Sequence, residues 1–212
     1  MKGKNILIVV LIIVLGAGNL LHFIGNQSNN QDNIVEMKTS QDKTALEIIH
    51  ERKSVREFTG EAVDSSMLEQ LVRAGMAAPS ARNLQAWAFI IVADRESLDF
   101  MCEALPYAKM LEKAGAAIVV CGDTQKASTD VYEDYWALEC SAASQNILLA
   151  AEALGLGAVW TAAFPYEDRM NPVRKVLDIP EHLIPLNVIP IGHPVGTEKP
   201  KDKWKTENLI WR

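Results

Sequence analysis

The chain has 212 residues, 49% of them hydrophobic, and a formal net charge of −6. A chain of this length can bury one substantial core, and its acidity argues against nucleic acid, which needs a basic face and counterion release. Cys102, Cys121 and Cys140 are too few for a disulfide framework and share no metal-ligand spacing with the four histidines, so they read as small buried thiols.

Residues 1–24 read as a separate module. Ile6 to Leu15 are all aliphatic, and the apolar run continues to Ile24 behind Lys2 and Lys4. A helix of that length could just cross a hydrocarbon core of about 30 Å. Two readings compete: a membrane anchor, or a signal peptide cleaved near Gly16 and Gly18. Lys2 and Lys4 are the only charges before Asp32, so the positive-inside rule favours an extracytoplasmic domain. The expectation is an enzyme anchored by one N-terminal helix, or exported if that helix is cleaved. Residues 25–42, opening with GNQSNNQDN, read as a flexible linker before a domain over 43–212.

Within the domain, Ala45, Leu46, Ile48 and Ile49 recur at helical spacing between Lys43 and Glu51. Asp64, followed by Leu68, Leu71, Val72 and Met76, predicts an N-capped helix. Trp87 to Ala93 is a buried strand by length and β-branched content, Arg95 to Ala104 a helix, and Ala116 to Cys121 a second strand. Asp134 to Leu154 is the longest element. It is rich in Ala and Ser, and apolar residues occupy nearly all its faces, which predicts a central buried helix capped by Gly155. A strand over Gly157–Thr161, a helix over Tyr166–Leu177 and a strand over Leu186–Ile191 complete an α+β sandwich with helices covering a mixed sheet.

Four segments carry polar groups suited to chemistry. If Arg52-Lys53-Ser54-Val55-Arg56 is extended, Arg52, Ser54 and Arg56 share one face, and two guanidiniums with a hydroxyl suit a dianion. Taken alone, the stretch reads equally as cations at a helix C-terminus. Pro79 stops the second helix, and Ser80 and Asn83 leave short polar groups ahead of the first strand. Gly155-Leu156-Gly157 is not a dinucleotide fingerprint, because Trp160 stands where GxGxxG needs its third glycine and the order runs helix to strand. The residues beyond it, through Thr161, Ala162 and Ala163, read as a strand ending in small residues whose backbone a ligand could approach. In the tail, Lys199, Lys201, Lys203 and Lys205 alternate with other residues, which alone suits a lysine-guarded sheet edge.

Taken in this order, RxSxR, PSxxNxQxW, the Ala-rich helix, GLG with its strand, IGHP and a basic tail resemble the nitroreductase family over roughly Thr44 to Arg212. The resemblance implies a three-layer α-β-α sandwich and a homodimer holding FMN at the subunit interface. It also implies an oxidoreductase that takes hydride from NADH or NADPH and reduces nitroaromatics, quinones or similar acceptors by ping-pong kinetics. It implies that Arg52, Ser54 and, by main chain or charge, Lys53 hold the FMN phosphate with Lys201 and Lys203, and that Arg56 lies beside the flavin pyrimidine. Pro79, Ser80 and Asn83 would come from the partner chain. Thr161, Ala162 and Ala163 would pass the flavin, the last two offering amides to N5, and Lys109 matches weakly a lysine near the pyrimidine carbonyl. No catalytic side chain is implied. Two departures stand out: Ala86 replaces a frequent proline, and Ala162 replaces an acidic residue of some members. The short stretch Thr124 to Asp134 implies an open pocket. The alternative is a membrane-tethered flavin module relaying electrons without a soluble substrate, since NAD(P)H is scarce outside the cytoplasm.

Overall fold

A computed structural model describes residues 43–127, 135–196 and 198–212. Helix α1 (Ala45–Glu51) starts at Thr44, whose hydroxyl accepts the Glu47 amide while the Glu47 carboxylate accepts the Thr44 amide. Helices α2 (Ser65–Met76) and α3 (Arg95–Ala104) start on the carboxylates of Asp64 and Asp94, which accept the amides of Ser66 and Ser97. Strands β1 (Trp87–Val92) and β2 (Ala116–Asp123) flank α3; α4 (Tyr135–Ala153) follows. Beyond it lie β3 (Gly157–Ala158), β4 (Thr161–Ala162), α5 (Glu167–Val176) and β5 (Leu183–Gly192). The sheet order is β1-β2-β5-β3, with β4 also on β5.

The sheet departs from expectation in direction. Every described strand pairing is antiparallel, so the sheet is not mixed. The reason lies in the connections: Val92 at the end of β1 pairs with Ala117 at the start of β2, so the α3 excursion leaves and returns at one end of the sheet. Side chains of β2 alternate between two cores. Ile118 and Val120 pack with Leu68 and Leu71 of α2 and Ile147 of α4. Val119 and Cys121 pack with Leu98 and Met101 of α3 and Val173 of α5. Helices thus cover both faces, and β2 is buried along its whole length.

Helix α4 is buried on the stripe Trp136, Glu139, Cys140, Ala143, Ser144, Ile147, Leu148 and Ala151. Its closest approaches need missing side chains elsewhere: a Cβ on Gly122 would drive into the Trp136 indole. Gly155, at φ +72°, closes the helix in the left-handed region as expected. The expected strand over Gly157–Thr161 is instead two short ladders on β5. Helix α1 buries no residue, so Leu46 and Ile49 of its apolar stripe face outward from this chain.

The expected membrane localisation is overturned. Among the described residues no helix is long and apolar enough to cross a membrane. The longest, α4, has 19 residues, but Glu139, Ser144 and Glu152 interrupt it, and it packs on the sheet. The apolar helix and linker expected over 1–42 lie outside the described residues, as do residues 128–134 of the short Thr124–Asp134 stretch.

Candidate functional site

The chain leaves α1 at Arg52 in an extended conformation (φ −54°, ψ 131°). The Val55 amide donates to the Ala158 carbonyl at 3.0 Å, fastening the segment alongside β3, and the Val55 side chain fills the space left by Gly157. Period-two alternation then turns Arg52, Ser54 and Arg56 to the other side.

The same segment captures the tail. Phe58 bridges Pro194, the Thr59 amide donates to the His193 carbonyl at 2.9 Å, and the Val195 amide donates to the Glu57 carbonyl at 3.1 Å. A chain leaving β5 therefore emerges beside residues 52–56. A cleft of ≈ 830 Å³ opens there, and Arg52, Ser54, Arg56, Lys201 and Lys203 all line it. The cations singled out at both ends of the domain thus converge within one chain.

Lys53 lines the cleft but is committed elsewhere: its ammonium lies 3.1 Å from Glu152 Oε2. Lys43 joins the group, 2.6 Å from Glu51 and 3.6 Å from Glu152. The hydrogen bond that Lys43 donates to Glu51 chiefly raises the Lys43 pKa, with Glu152 adding to it against a burial cost. The Lys53 ammonium is therefore paired with Glu152 rather than unpaired in the cleft.

Ile49, His50, Glu198, Lys199, Asp202 and Trp204 also line the cleft. Of these, Ile49 belongs to the apolar spacing of the first helix, and Lys199, Asp202 and Trp204 to the alternating tail, where Trp204 stands exposed. Glu198 Oε2 is buried without a hydrogen-bond partner, an acceptor waiting for a donor.

Thr161, Ala162, Ala163, Pro79, Ser80, Asn83 and Lys109 do not line this cleft. Thr161 donates its hydroxyl to the Val188 carbonyl at 2.6 Å. The expectation for Ala163 is corrected: it is buried, and its amide donates to the Leu186 carbonyl at 3.0 Å. Because Ala163 is the bonded position opposite Leu186, the antiparallel ladder turns the amide of its neighbour Ala162 away from β5. Ala162 is exposed there, so it alone can offer an amide to a ligand. Lys109 sits in a 3₁₀ turn after α3.

Ser80 and Asn83 stand in a loop that β1 continues. Three of its residues have left-handed backbones, Arg82 (φ 53°), Asn83 (φ 56°) and Gln85 (φ 52°). The Ser80 hydroxyl accepts the Gln85 amide at 3.1 Å, and Asn83 Oδ1 accepts from Gln85 Nε2 at 3.2 Å.

A model described as the nitroreductase family matches residues 49–106 and 100–193. A Methanothermobacter thermautotrophicus protein named NADH dehydrogenase/NAD(P)H nitroreductase is 41% identical over 164 residues, 77% of this chain and 84% of that one. A crystal structure carrying the same name, from Parabacteroides distasonis, is 52% identical with a TM-score of 0.75, covering 80% of this chain and 98% of that one. A Desulfovibrio desulfuricans structure named as a nitroreductase in complex with FMN is 29% identical with a TM-score of 0.69, covering 81% of this chain and 98% of that one.

Proposed function

The chain belongs to the nitroreductase family, and on that premise we propose that it is an FMN-dependent oxidoreductase that draws hydride from NADH or NADPH and reduces small acceptors such as nitroaromatics or quinones. One observation carries the reading: Arg52, Ser54 and Arg56 share a cleft with Lys201 and Lys203. The guanidinium of Arg52, the Ser54 hydroxyl and the two ammoniums suit a phosphomonoester dianion, and Arg56 leaves a second guanidinium for the rest of the ligand. The orphaned Glu198 Oε2 suits a hydroxyl or N–H donor of the same ligand. The residues present therefore fit FMN.

When bound, FMN supplies two-electron chemistry, accepting a hydride from the nicotinamide and passing electrons to the second substrate. Arg52, Ser54, Lys201 and Lys203 hold the phosphate. The fixed cation of Arg56 favours whatever negative charge develops near it, a preorganised electrostatic effect. The Ala162 amide, turned away from β5, would be available to orient the ring by a backbone hydrogen bond. With alanine at that position no carboxylate competes there. Donor and acceptor would meet the bound flavin in turn, which is the basis of ping-pong kinetics.

The active unit is a homodimer. Leu46, Ile49 and Leu138 stand exposed on a single copy, as do Trp204, Ile210 and Trp211, large apolar groups that a second copy would cover. In this arrangement Pro79, Ser80 and Asn83 reach the cofactor bound to the other copy.

The deciding experiment is an anaerobic titration of the purified chain, supplied with FMN, by NADH and by NADPH. A protein-bound flavin spectrum bleached by either nicotinamide is expected. A chain that stays colourless after FMN addition and gel filtration overturns the proposal.

A further inference from the structure

We infer that Glu139, a buried carboxylate on α4, is a positioning residue that ties together both ends of the 80–86 loop and so sets where Ser80 and Asn83 stand. The inference rests on the cofactor reading above, in which those two side chains meet FMN.

The loop needs a restraint. Three residues within four positions, Arg82, Asn83 and Gln85, adopt φ near +50°, a region L side chains disfavour. The side-chain contacts within the loop join Ser80, Asn83 and Gln85 to one another and do not reach the amides of Ala81 and Ala86. Glu139 does reach them. Its Oε1 accepts the Ala81 amide at 2.7 Å, and its Oε2 accepts the Ala86 amide at 3.4 Å. The first bond is short and charge-assisted, the second long. One side chain from a separate element thus spans the irregular turn, and the same carboxylate fastens the entry into β1.

Packing gives no other reason for a carboxylate there. Glu139 is 6% exposed and lies on the α4 stripe with Trp136, Cys140, Ala143 and Ile147. A buried carboxylate is costly unless hydrogen-bonded, and an apolar side chain would fill that stripe more cheaply. The two loop amides account for its presence. Side chains that contact a ligand must be held to within a fraction of an ångström by the residues behind them.

The test compares the wild-type chain with Glu139→Gln, which keeps the volume but sets an NH₂ against a backbone N–H. The expected result is FMN binding weakened about tenfold, read from quenching of flavin fluorescence. In the FMN-free protein, hydrogen exchange should accelerate at Ala81 and Ala86 while the β2–β5 ladder is unaffected. Ser144→Ala serves as control: it removes the 2.8 Å hydrogen bond from Asn187 to α4 without touching the loop, and should leave FMN affinity and loop exchange unchanged. Should Glu139→Gln fail to fold, Ala81→Pro deletes the donor from the loop side. The extended Ser80 (φ −136°, ψ 147°) tolerates a following proline, and the same loss of affinity is expected. Wild-type affinity and loop exchange in Glu139→Gln or Ala81→Pro overturns the inference, as does an equal loss in Ser144→Ala. If wild-type chain binds no FMN, the cofactor reading fails instead, and exchange in the FMN-free protein still decides whether Glu139 clamps the loop.

Discussion

Arg52 and Arg56 stand two alternations apart on one extended segment, while Lys53 between them turns to Glu152. Their substitutions should therefore differ. Arg52→Ala removes a charge-assisted donor pair and should weaken FMN retention by tenfold or more, on the order of 1.5–3 kcal/mol. Arg56→Ala should leave the protein yellow but slow its reduction by nicotinamide. Lys53→Ala should change FMN affinity little, because its charge is already spent on Glu152. Co-purified flavin and stopped-flow reduction separate the three, and an Arg52→Ala protein with a full flavin complement removes the phosphate assignment. Cys121 and Cys140 illustrate the opposite environment. Burial pushes both thiols up to about 12, so at neutral pH they stay protonated and shielded. A thiol reagent should modify them only as fast as the chain opens globally, which labelling rates across a denaturant series would measure. Rapid modification in native buffer would contradict that burial.

At the scale of elements, the helices are set by their caps and stripes. Asp94 accepts the Ser97 amide, and that hydrogen bond lowers its pKa below the ordinary 3.8. A folded pKa below the unfolded one means its contribution is fully present above about pH 4 and is lost as pH falls through the depressed value. Asp94→Ala should cost about 1 kcal/mol at pH 7, and the gap in thermal unfolding between wild type and variant should narrow at pH 3. A gap independent of pH would mean that the carboxylate charge plays no part. Asp123 shows how competing effects resolve. Burial raises its pKa, but the Lys126 ammonium at 2.9 Å and the Gln125 amide at 3.1 Å outweigh it, so the net shift is downward. Glu139 went unmarked in the sequence, because the amides it accepts lie 58 and 53 residues earlier.

At the scale of the whole molecule, one copy leaves large apolar groups of its tail and of α1 exposed. Ile210 and Trp211 are 81% and 89% exposed, on the tail whose earlier lysines line the cleft. If the tail and α1 pack on a second copy and both copies contribute to each site, the double substitution Ile210→Asp, Trp211→Ala should shift the protein toward monomer and weaken FMN binding together. Sedimentation velocity against concentration, with flavin content measured on the same samples, tests this. A variant that remains a dimer with its full flavin complement would take the tail out of the interface.

Local features were readable in the chain itself: the helix starts near Thr44, Asp64 and Asp94, the stop at Gly155, the buried strand from Ala116, and the alternation of Arg52, Ser54 and Arg56. These depend on residues a few positions apart, within reach of side-chain period and backbone sterics. Tertiary structure alone decided that the tail returns to Phe58, that Lys53 belongs to Glu152, that every described pairing in the sheet is antiparallel, and that Ala162 rather than Ala163 shows its amide to solvent. Each of these joins distant segments or hangs on strand register. A slip of one residue there reverses which groups face inward, and nothing in the local sequence marks which register is adopted.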